Sequence, residues 1–173
     1  MTKKYILTGG PGTGKSSILL ALEQRGEYTL AEAATDIIRY QQALRNLTPW
    51  IDTDRFQGDI LDLQLRREKN IPTGIERGFI DRGILDGAAY YIKDNKEIPA
   101  KLEEEAKKTD YEKIFLIENL GHCLKTGVRR ENLEESLQLE GILEKLYRKH
   151  GYEITRIGPG TVEERAQSIL KAL

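Results

Sequence analysis

The most constraining feature of this 173-residue sequence is a short glycine-rich segment near its start, GGPGTGKS at residues 9–16. An apolar, β-rich run at 4–8 precedes it, and residues 15–26, with the apolar spacing of a helix, follow it. Glycines let a backbone wrap with its N–H groups pointing inward, and the N-terminus of a helix adds partial positive charge. The pattern Gly9, four residues, Gly14, Lys15, Ser16 between a strand and a helix therefore predicts a phosphate-binding loop.

The rest of the chain alternates short apolar runs with amphipathic stretches, and no linker, repeat or low-complexity tract interrupts the pattern. We expect strands at 4–8, 28–32, 78–81, 113–118 and 152–158, and helices at 15–26, 34–46, 54–70, 84–95, 98–108, 132–151 and 161–173. This alternation is typical of a parallel sheet with helices on both faces. A single α/β domain over residues 1–173 is therefore expected, with ligands at the carboxyl ends of its strands.

Composition narrows the class of partner. The chain has 27 Lys and Arg against 28 Asp and Glu, so its net charge of −1 gives no reason to expect a nucleic acid or an anionic membrane as partner. No apolar run reaches the ~18–20 residues of a membrane helix. With one cysteine, Cys123, the chain has no internal disulfide. These features favour a soluble cytoplasmic protein, and they leave its oligomeric state open.

The phosphate loop carries the first chemical predictions. The ammonium group of Lys15 can reach the β- and γ-phosphates of a nucleotide, and the Ser16 hydroxyl can bind Mg²⁺. ATP is expected rather than GTP because no guanine-reading Asn-Lys-x-Asp segment is present, and the fourth strand runs instead into IENLGH at 117–122. The cofactors expected from these residues are ATP and Mg²⁺.

The segment FIDRG at 79–83 ends the third predicted strand. There Asp81 could hold a Mg²⁺-bound water near Ser16, and the rigid guanidinium of Arg82 suits an anionic or hydroxylated substrate. The alternative is that Asp81 only caps the helix at 84–95. Asp86 is interpreted as an ordinary acidic residue in the first turn of that helix.

Glu32 stands at the end of the second predicted strand, in LAEAATD. A carboxylate at this position could take a proton from a substrate hydroxyl or bind the substrate, and the alternative is a solvated residue at a helix start. Asp36, four residues later on the same predicted face, is a weaker candidate.

Two later segments are candidates for closing the site. The polar stretch at 119–131 contains Arg129 and Arg130. A lid formed by this stretch would bring positive charge to a transferring phosphoryl group. The alternative is that both arginines are surface residues at the start of a helix. The loop GPGTVEER at 158–165 could face an adenine ring. Trp50 could stack on a substrate ring, although covering the core is the commoner role of a loop tryptophan. Tyr90 and Tyr91 are expected to pack within their helix.

A family resemblance runs through nearly the whole chain, in TGGPGTGKSS, AEAA, FIDRGILDGAAY, IFLIE, GVRRE, LYRKHGY and VEERAQSIL. These motifs resemble the small AAA-type ATPase domain family within the P-loop kinases. That family includes the ribosylnicotinamide kinase domain of NadR-type proteins and is related to nucleoside and nucleotide kinases. The resemblance implies a three-layer α/β/α fold with a five-stranded parallel sheet in the order 2-3-1-4-5.

The resemblance also implies residue roles. The residues that it implies for triphosphate binding are Gly9, Gly10, Pro11, Gly12, Thr13, Gly14, Lys15, Ser16 and Ser17. Catalytic roles fall to Lys15, Glu32, Asp81, Arg82, Arg129 and Arg130, with Ser16 and Asp81 at the metal.

Two functions follow from these predictions and stay open at the level of sequence. The first is an ATP- and Mg²⁺-dependent kinase that transfers the γ-phosphate to the hydroxyl of a nucleoside-like or other polar metabolite. The second is a P-loop NTPase that hydrolyses ATP, or binds partners under nucleotide control, without a phosphoryl acceptor. A motor or ring ATPase is not expected, because the chain has no room for the additional helical subdomain of those proteins.

Overall fold

The structure is a computed structural model, and it describes residues 2–46, 48–121 and 132–173. Its strands are β1 (Lys3–Thr8), β2 (Tyr28–Leu30), β3 (Arg77–Asp81), β4 (Lys113–Ile117) and β5 (Ile154–Ile157). Its helices are α1 (Lys15–Glu23), α2 (Ala33–Ala43), α3 (Thr53–Lys69), α4 (Ile84–Lys93), α5 (Ala100–Lys107), α6 (Leu133–Lys149) and α7 (Val162–Lys171), and Pro49–Ile51 form a short 3₁₀ helix.

The five strands form one parallel sheet in the order β2-β3-β1-β4-β5. This confirms the predicted fold class and strand order. β1 lies at the centre, where Leu7 is opposite Asp81 of β3 and Phe115 of β4. Because the strands are parallel, their carboxyl ends meet at one edge, and the loops that follow β1, β2 and β3 converge there.

Two apolar cores lie on opposite faces of the sheet, since successive side chains of a strand point to opposite sides. Ile6 packs into a core with residues of α3 to α6, and its neighbour Leu7 packs into a second core with residues of α1 and α7. The result is the three-layer α/β/α arrangement that the sequence predicts.

Local signals explain where several helices begin. Thr161 caps α7, and the Glu164 carboxylate accepts a hydrogen bond from the Thr161 N–H; Asn132 and Glu135 form the same arrangement at α6. The cap of α4 is Gly83, so the alternative that Asp81 caps this helix is wrong. No helix in the described part of the chain is long and apolar enough to cross a membrane.

Candidate functional site

The glycine-rich segment forms the connection between β1 and α1, and two of its glycines are required by geometry. Gly9 has a φ of 135°, and a Cβ atom on it would lie 2.5 Å from the carbonyl oxygen of Ile117. Gly14 caps α1 in the left-handed conformation, with a φ of 88°. Other residues rarely adopt these values, so the glycine pattern of the sequence has a direct structural cause.

Lys15 opens α1, and its ammonium group turns back into the loop. It donates to the carbonyl oxygens of Gly9 and Gly10 at 2.9 and 2.8 Å and to Oγ1 of Thr13 at 3.2 Å. Burial, together with the charge of Arg82, lowers the pKa of Lys15 to about 8. The lysine is therefore still protonated at neutral pH, and its three donors are available for exchange onto phosphate oxygens.

Ser16 and Asp81 come together as the sequence predicts for a Mg²⁺ site. The Ser16 hydroxyl donates to Oδ2 of Asp81 at 2.8 Å, while Oδ1 of Asp81 is buried and has no hydrogen-bond partner. Burial and the nearby Glu32 carboxylate raise the pKa of Asp81 to about 6. A hydroxyl and an unpaired carboxylate oxygen beside a phosphate loop are donors that suit Mg²⁺, which is typically held by few protein oxygens together with phosphates.

Glu32 and Arg82 form an ion pair at the same edge of the sheet. Nε of Arg82 donates to Oε1 of Glu32, and the Thr35 hydroxyl donates to Oε2 at 2.6 Å. Burial alone would raise the pKa of Glu32, but the charge of Arg82 and the bond from Thr35 outweigh it and lower that pKa to about 2. Glu32 is the N-terminal cap residue of α2, yet its side chain points to Arg82, not to the helix N–H groups, so the solvated-residue alternative does not describe it.

Arg82 has a strained backbone that several bonds hold in place. Its φ is 67°, in the left-handed region that costs a non-glycine residue roughly 1–2 kcal/mol. Its N–H donates to the carbonyl oxygen of Leu7 at 3.0 Å, and its own carbonyl accepts from Nε2 of Gln64 at 3.2 Å. Strain of this kind persists where the surroundings fix the conformation, and it is concentrated at functional sites.

Asp86 contributes more than the sequence predicts. It lies in the first turn of α4 and bonds the N–H of Gly83, but it is only 2% exposed and its carboxylate also binds three side chains. Thr8 and Tyr147 donate to it at 2.8 and 2.7 Å, and Nη1 of Arg82 donates to it at 3.1 Å. The interpretation of Asp86 as an ordinary first-turn acid is therefore wrong, because this carboxylate is a buried anchor for the Arg82 guanidinium.

A cleft of about 480 Å³ extends from the phosphate loop across these residues. Its polar lining includes Lys15, Ser16, Glu32, Gln57, Gln64, Asp81, Arg82 and Asp86. Its apolar and aromatic lining includes Ile38, Trp50, Phe56, Ile60, Ile84 and Tyr90. The cleft thus combines the phosphate loop and several charged side chains with three aromatic side chains.

The remaining residues named from the sequence have different outcomes. Arg129 and Arg130, with residues 122–131 of the predicted lid, lie outside the described residues. Asp36 binds Arg67 at 2.5 Å and does not line the cleft. Trp50 lies in the 3₁₀ helix and lines the cleft, and Tyr90 lines it as well. Stacking of Trp50 on a substrate ring stays a prediction.

Sequence reasoning missed three polar residues of the site. Gln57 and Gln64 are 8% and 5% exposed on α3 and face the cleft. Their spacing of seven residues, two helical turns, is the one signal that could have placed them on a single face. Arg165 of α7 is 3% exposed and donates to the carbonyl oxygen of Thr13 in the phosphate loop, a contact that no local pattern predicts.

Comparison with known proteins identifies the family. Residues 4–165 match the family described as AAA domain. The chain belongs to the AAA domain family. No curated protein shows significant sequence similarity to this AAA domain. The sequence-based prediction of a small AAA-type domain is thereby confirmed.

Solved structures with the same fold are also found. A deoxyadenosine kinase from M. mycoides with the products dCMP and a flexible dCDP bound has a TM-score of 0.64 at 13% identity, over 98% of this chain and 97% of that chain. The same kinase with bound dATP has a TM-score of 0.60 at 16% identity, over 98% of each chain. At these identities the likeness establishes the fold, so the AAA domain shares its fold with these kinases.

Proposed function

We propose that this protein is an ATP- and Mg²⁺-dependent kinase that transfers the γ-phosphate to the hydroxyl of a nucleoside-like or similar polar metabolite. One observation carries the proposal: a single cleft is lined by the phosphate loop, the Glu32–Arg82 pair and three aromatic side chains. An NTPase without an acceptor needs the first of these features only.

The chain's own residues have distinct tasks in this proposal. The loop amides and Lys15 would hold the triphosphate, and Ser16 and Asp81 would hold Mg²⁺. When bound, Mg²⁺ neutralises charge on the β- and γ-phosphates. Arg129 and Arg130 are proposed to add positive charge to the transferring oxygens from the segment that follows β4.

Glu32 and Arg82 orient the acceptor. The acceptor oxygen forms a bond to the γ-phosphorus while the bond between that phosphorus and the β–γ bridging oxygen breaks, and ADP leaves with the bridging oxygen. The acceptor's proton passes to the Glu32 carboxylate and then to solvent. Since Arg82 keeps the pKa of Glu32 at about 2, the carboxylate is ionised at neutral pH. It can therefore accept a hydrogen bond from the acceptor hydroxyl.

The aromatic and amide side chains that line the cleft suggest the chemical class of acceptor. Trp50, Phe56 and Tyr90 offer ring faces, and the amides of Gln57 and Gln64 offer both donors and acceptors. A flat heterocycle attached to a hydroxylated group fits this lining. The two M. mycoides structures of the same fold are named as kinases of a nucleoside, which agrees with this class of acceptor.

The test compares Glu32→Gln and Arg82→Ala with the wild type in ADP release, with and without a panel of nucleosides. We expect each variant to lose about 10²–10³ in acceptor-dependent rate, because an oriented transition-state contact contributes on the order of 2–4 kcal/mol. ATP affinity should change little, since other groups hold the triphosphate. Asp36→Asn is the matched control on α2, because Asp36 lies outside the cleft.

The result also separates the two candidate functions. If no nucleoside or polar metabolite stimulates ADP release by the wild type, and both variants keep its basal hydrolysis, the protein is an NTPase and the kinase proposal is wrong.

A further inference from the structure

The phosphate loop is held from outside by two helices that carry none of the proposed catalytic residues. In the first turn of α6, the Ser136 hydroxyl donates to the carbonyl oxygen of Pro11 at 2.7 Å. On α7, Nη1 of Arg165 donates to the carbonyl oxygen of Thr13 at 2.6 Å. Ser136 and Arg165 are 0% and 3% exposed, so solvent does not compete for either bond.

These two bonds determine where the next N–H groups point. In a trans peptide unit the C=O and N–H bonds are antiparallel. Holding the Pro11 carbonyl toward α6 turns the N–H of Gly12 away from that helix, and holding the Thr13 carbonyl toward α7 does the same for Gly14. Gly12 and Gly14 both line the cleft, so their N–H groups, which could bind a phosphate, point to the side of the loop that faces the cleft.

The charge of Arg165 adds a second argument. Besides Thr13, its guanidinium donates to the carbonyl oxygen of Glu118 at 2.8 Å, and its buried Nε has no partner. In the described ranges no carboxylate forms an ion pair with it, whereas Arg156 of β5 pairs with Glu118, Glu140 and Glu144. Burial lowers the pKa of Arg165, against the charges of Glu118 and Glu140, but a guanidinium remains protonated.

A buried cation with only backbone partners is costly to the folded protein unless an anion arrives nearby. A Cβ atom on Gly14 would lie 3.4 Å from Nη1 of Arg165, so the charge sits directly against the loop at the N-terminus of α1. A nucleotide polyphosphate bound by this loop would supply the missing negative charge.

We propose that Arg165, assisted by Ser136, is a positioning residue that fixes the phosphate loop's amides and supplies buried positive charge for a nucleoside di- or triphosphate. The inference rests on the nucleotide binding proposed above. It adds a residue distant from the loop in sequence that determines nucleotide affinity without taking part in the transfer step.

The experiment measures the affinity of the folded protein for Mg·ADP and Mg·ATP by calorimetry. We expect Arg165→Met to weaken both about 10- to 100-fold, because bonds from a charged donor are lost at two carbonyls. Arg165→Lys should recover part of this loss, since it keeps the charge but not the two-pronged geometry. Ser136→Ala, which removes one neutral bond, should weaken binding by roughly 3- to 10-fold.

Arg156→Met is the matched control, because it removes a neighbouring arginine that has no contact with the loop. It should lower the melting temperature and leave both affinities within about twofold of the wild type. Equal losses of affinity in Arg165→Met and Arg156→Met would mean that Arg165 acts only through general stability. If Arg165→Met does not fold, the other two variants decide: wild-type affinity in both Arg165→Lys and Ser136→Ala would overturn the inference. A wild type that binds neither nucleotide would instead contradict the proposed function.

Discussion

At the scale of single residues, the site divides into groups that local sequence reveals and groups that it does not. Lys15, Ser16 and Asp81 could be predicted because glycine spacing and strand ends determine where they lie. Asp86 and Arg165 could not, because their partners are remote: Tyr147 lies 61 positions from Asp86, and Thr13 lies 152 positions from Arg165. Their roles depend on packing between elements, which periodicity alone does not specify.

Lys15 gives a prediction about pH. The pKa of Lys15 is about 8 in the folded protein, whereas an unperturbed lysine, as in the unfolded chain, has a pKa of 10.5. Between pH 8 and 10.5 the unfolded chain therefore binds more protons at this residue. The contribution of Lys15 to the free energy of unfolding should therefore rise as pH increases from about 8 to 10.5, and it should be independent of pH below about 8, where both states hold the proton. We expect this rise in the wild type relative to Lys15→Met, measured by urea unfolding across that range.

The same variant tests the role of the lysine in turnover. Lys15→Met should reduce ATP turnover by at least about 10²–10³, because an oriented positive charge on the phosphates is lost. A folded Lys15→Met protein with wild-type turnover would contradict the phosphate-loop assignment. A stability difference that is flat with pH would contradict the lowered pKa.

At the scale of elements, the sequence predicts the number, type and order of strands and helices well, since each strand is a short apolar run that ends at polar or turn residues. Most differences lie at the ends. β2 stops at Leu30, two residues early, because Glu32 already caps α2. The segment around Trp50, which lies outside every predicted strand and helix, contains the 3₁₀ helix that brings Trp50 to the cleft. Such short helices lack the length that makes a period visible.

The contact between the phosphate loop and α6 gives a prediction at this scale. A Cβ atom on Gly10 would lie 2.3 Å from both the carbonyl oxygen and the hydroxyl of Ser136, so Gly10→Ala must push the loop and the first turn of α6 apart. We expect a loss of about 1–3 kcal/mol in the free energy of unfolding, and weaker nucleotide binding.

The control for this substitution lies on the same helix. A Cβ atom on Gly141, an exposed residue within α6, would meet nothing within 4 Å. Gly141→Ala should therefore stabilise the protein by about 0.5–1 kcal/mol and leave nucleotide affinity unchanged. Chemical unfolding measures the stability of both variants, and calorimetry measures their nucleotide affinity. A Gly10→Ala protein as stable as the wild type would show that the loop and α6 are not tightly packed.

At the scale of the whole molecule, the two apolar cores share one sheet, so neither can be lost without exposing the other. Leu22 of α1 and Leu85 of α4 are both 0% exposed and lie in different cores. Each leucine-to-alanine change should cost about 2–5 kcal/mol.

We expect each variant to unfold in a single transition. Within each variant, circular dichroism and the fluorescence of Trp50 should give the same midpoint urea concentration. Separate transitions for the two signals in either variant would mean that the cleft and the remaining sheet unfold independently.

The contact between Thr13 and Arg165 has a consequence for the growing chain on the ribosome. The glycine loop precedes α7 in the chain by about 150 residues, and α7, which contacts it, follows every other described strand and helix. Chains are synthesised at about 5–20 residues per second from the N-terminus. A nascent polypeptide whose loop, α1 and first strands have already emerged therefore still lacks the arginine that orients its amides. If Arg165 sets nucleotide affinity as proposed, tight capture of nucleotide is postponed until α7 has been translated.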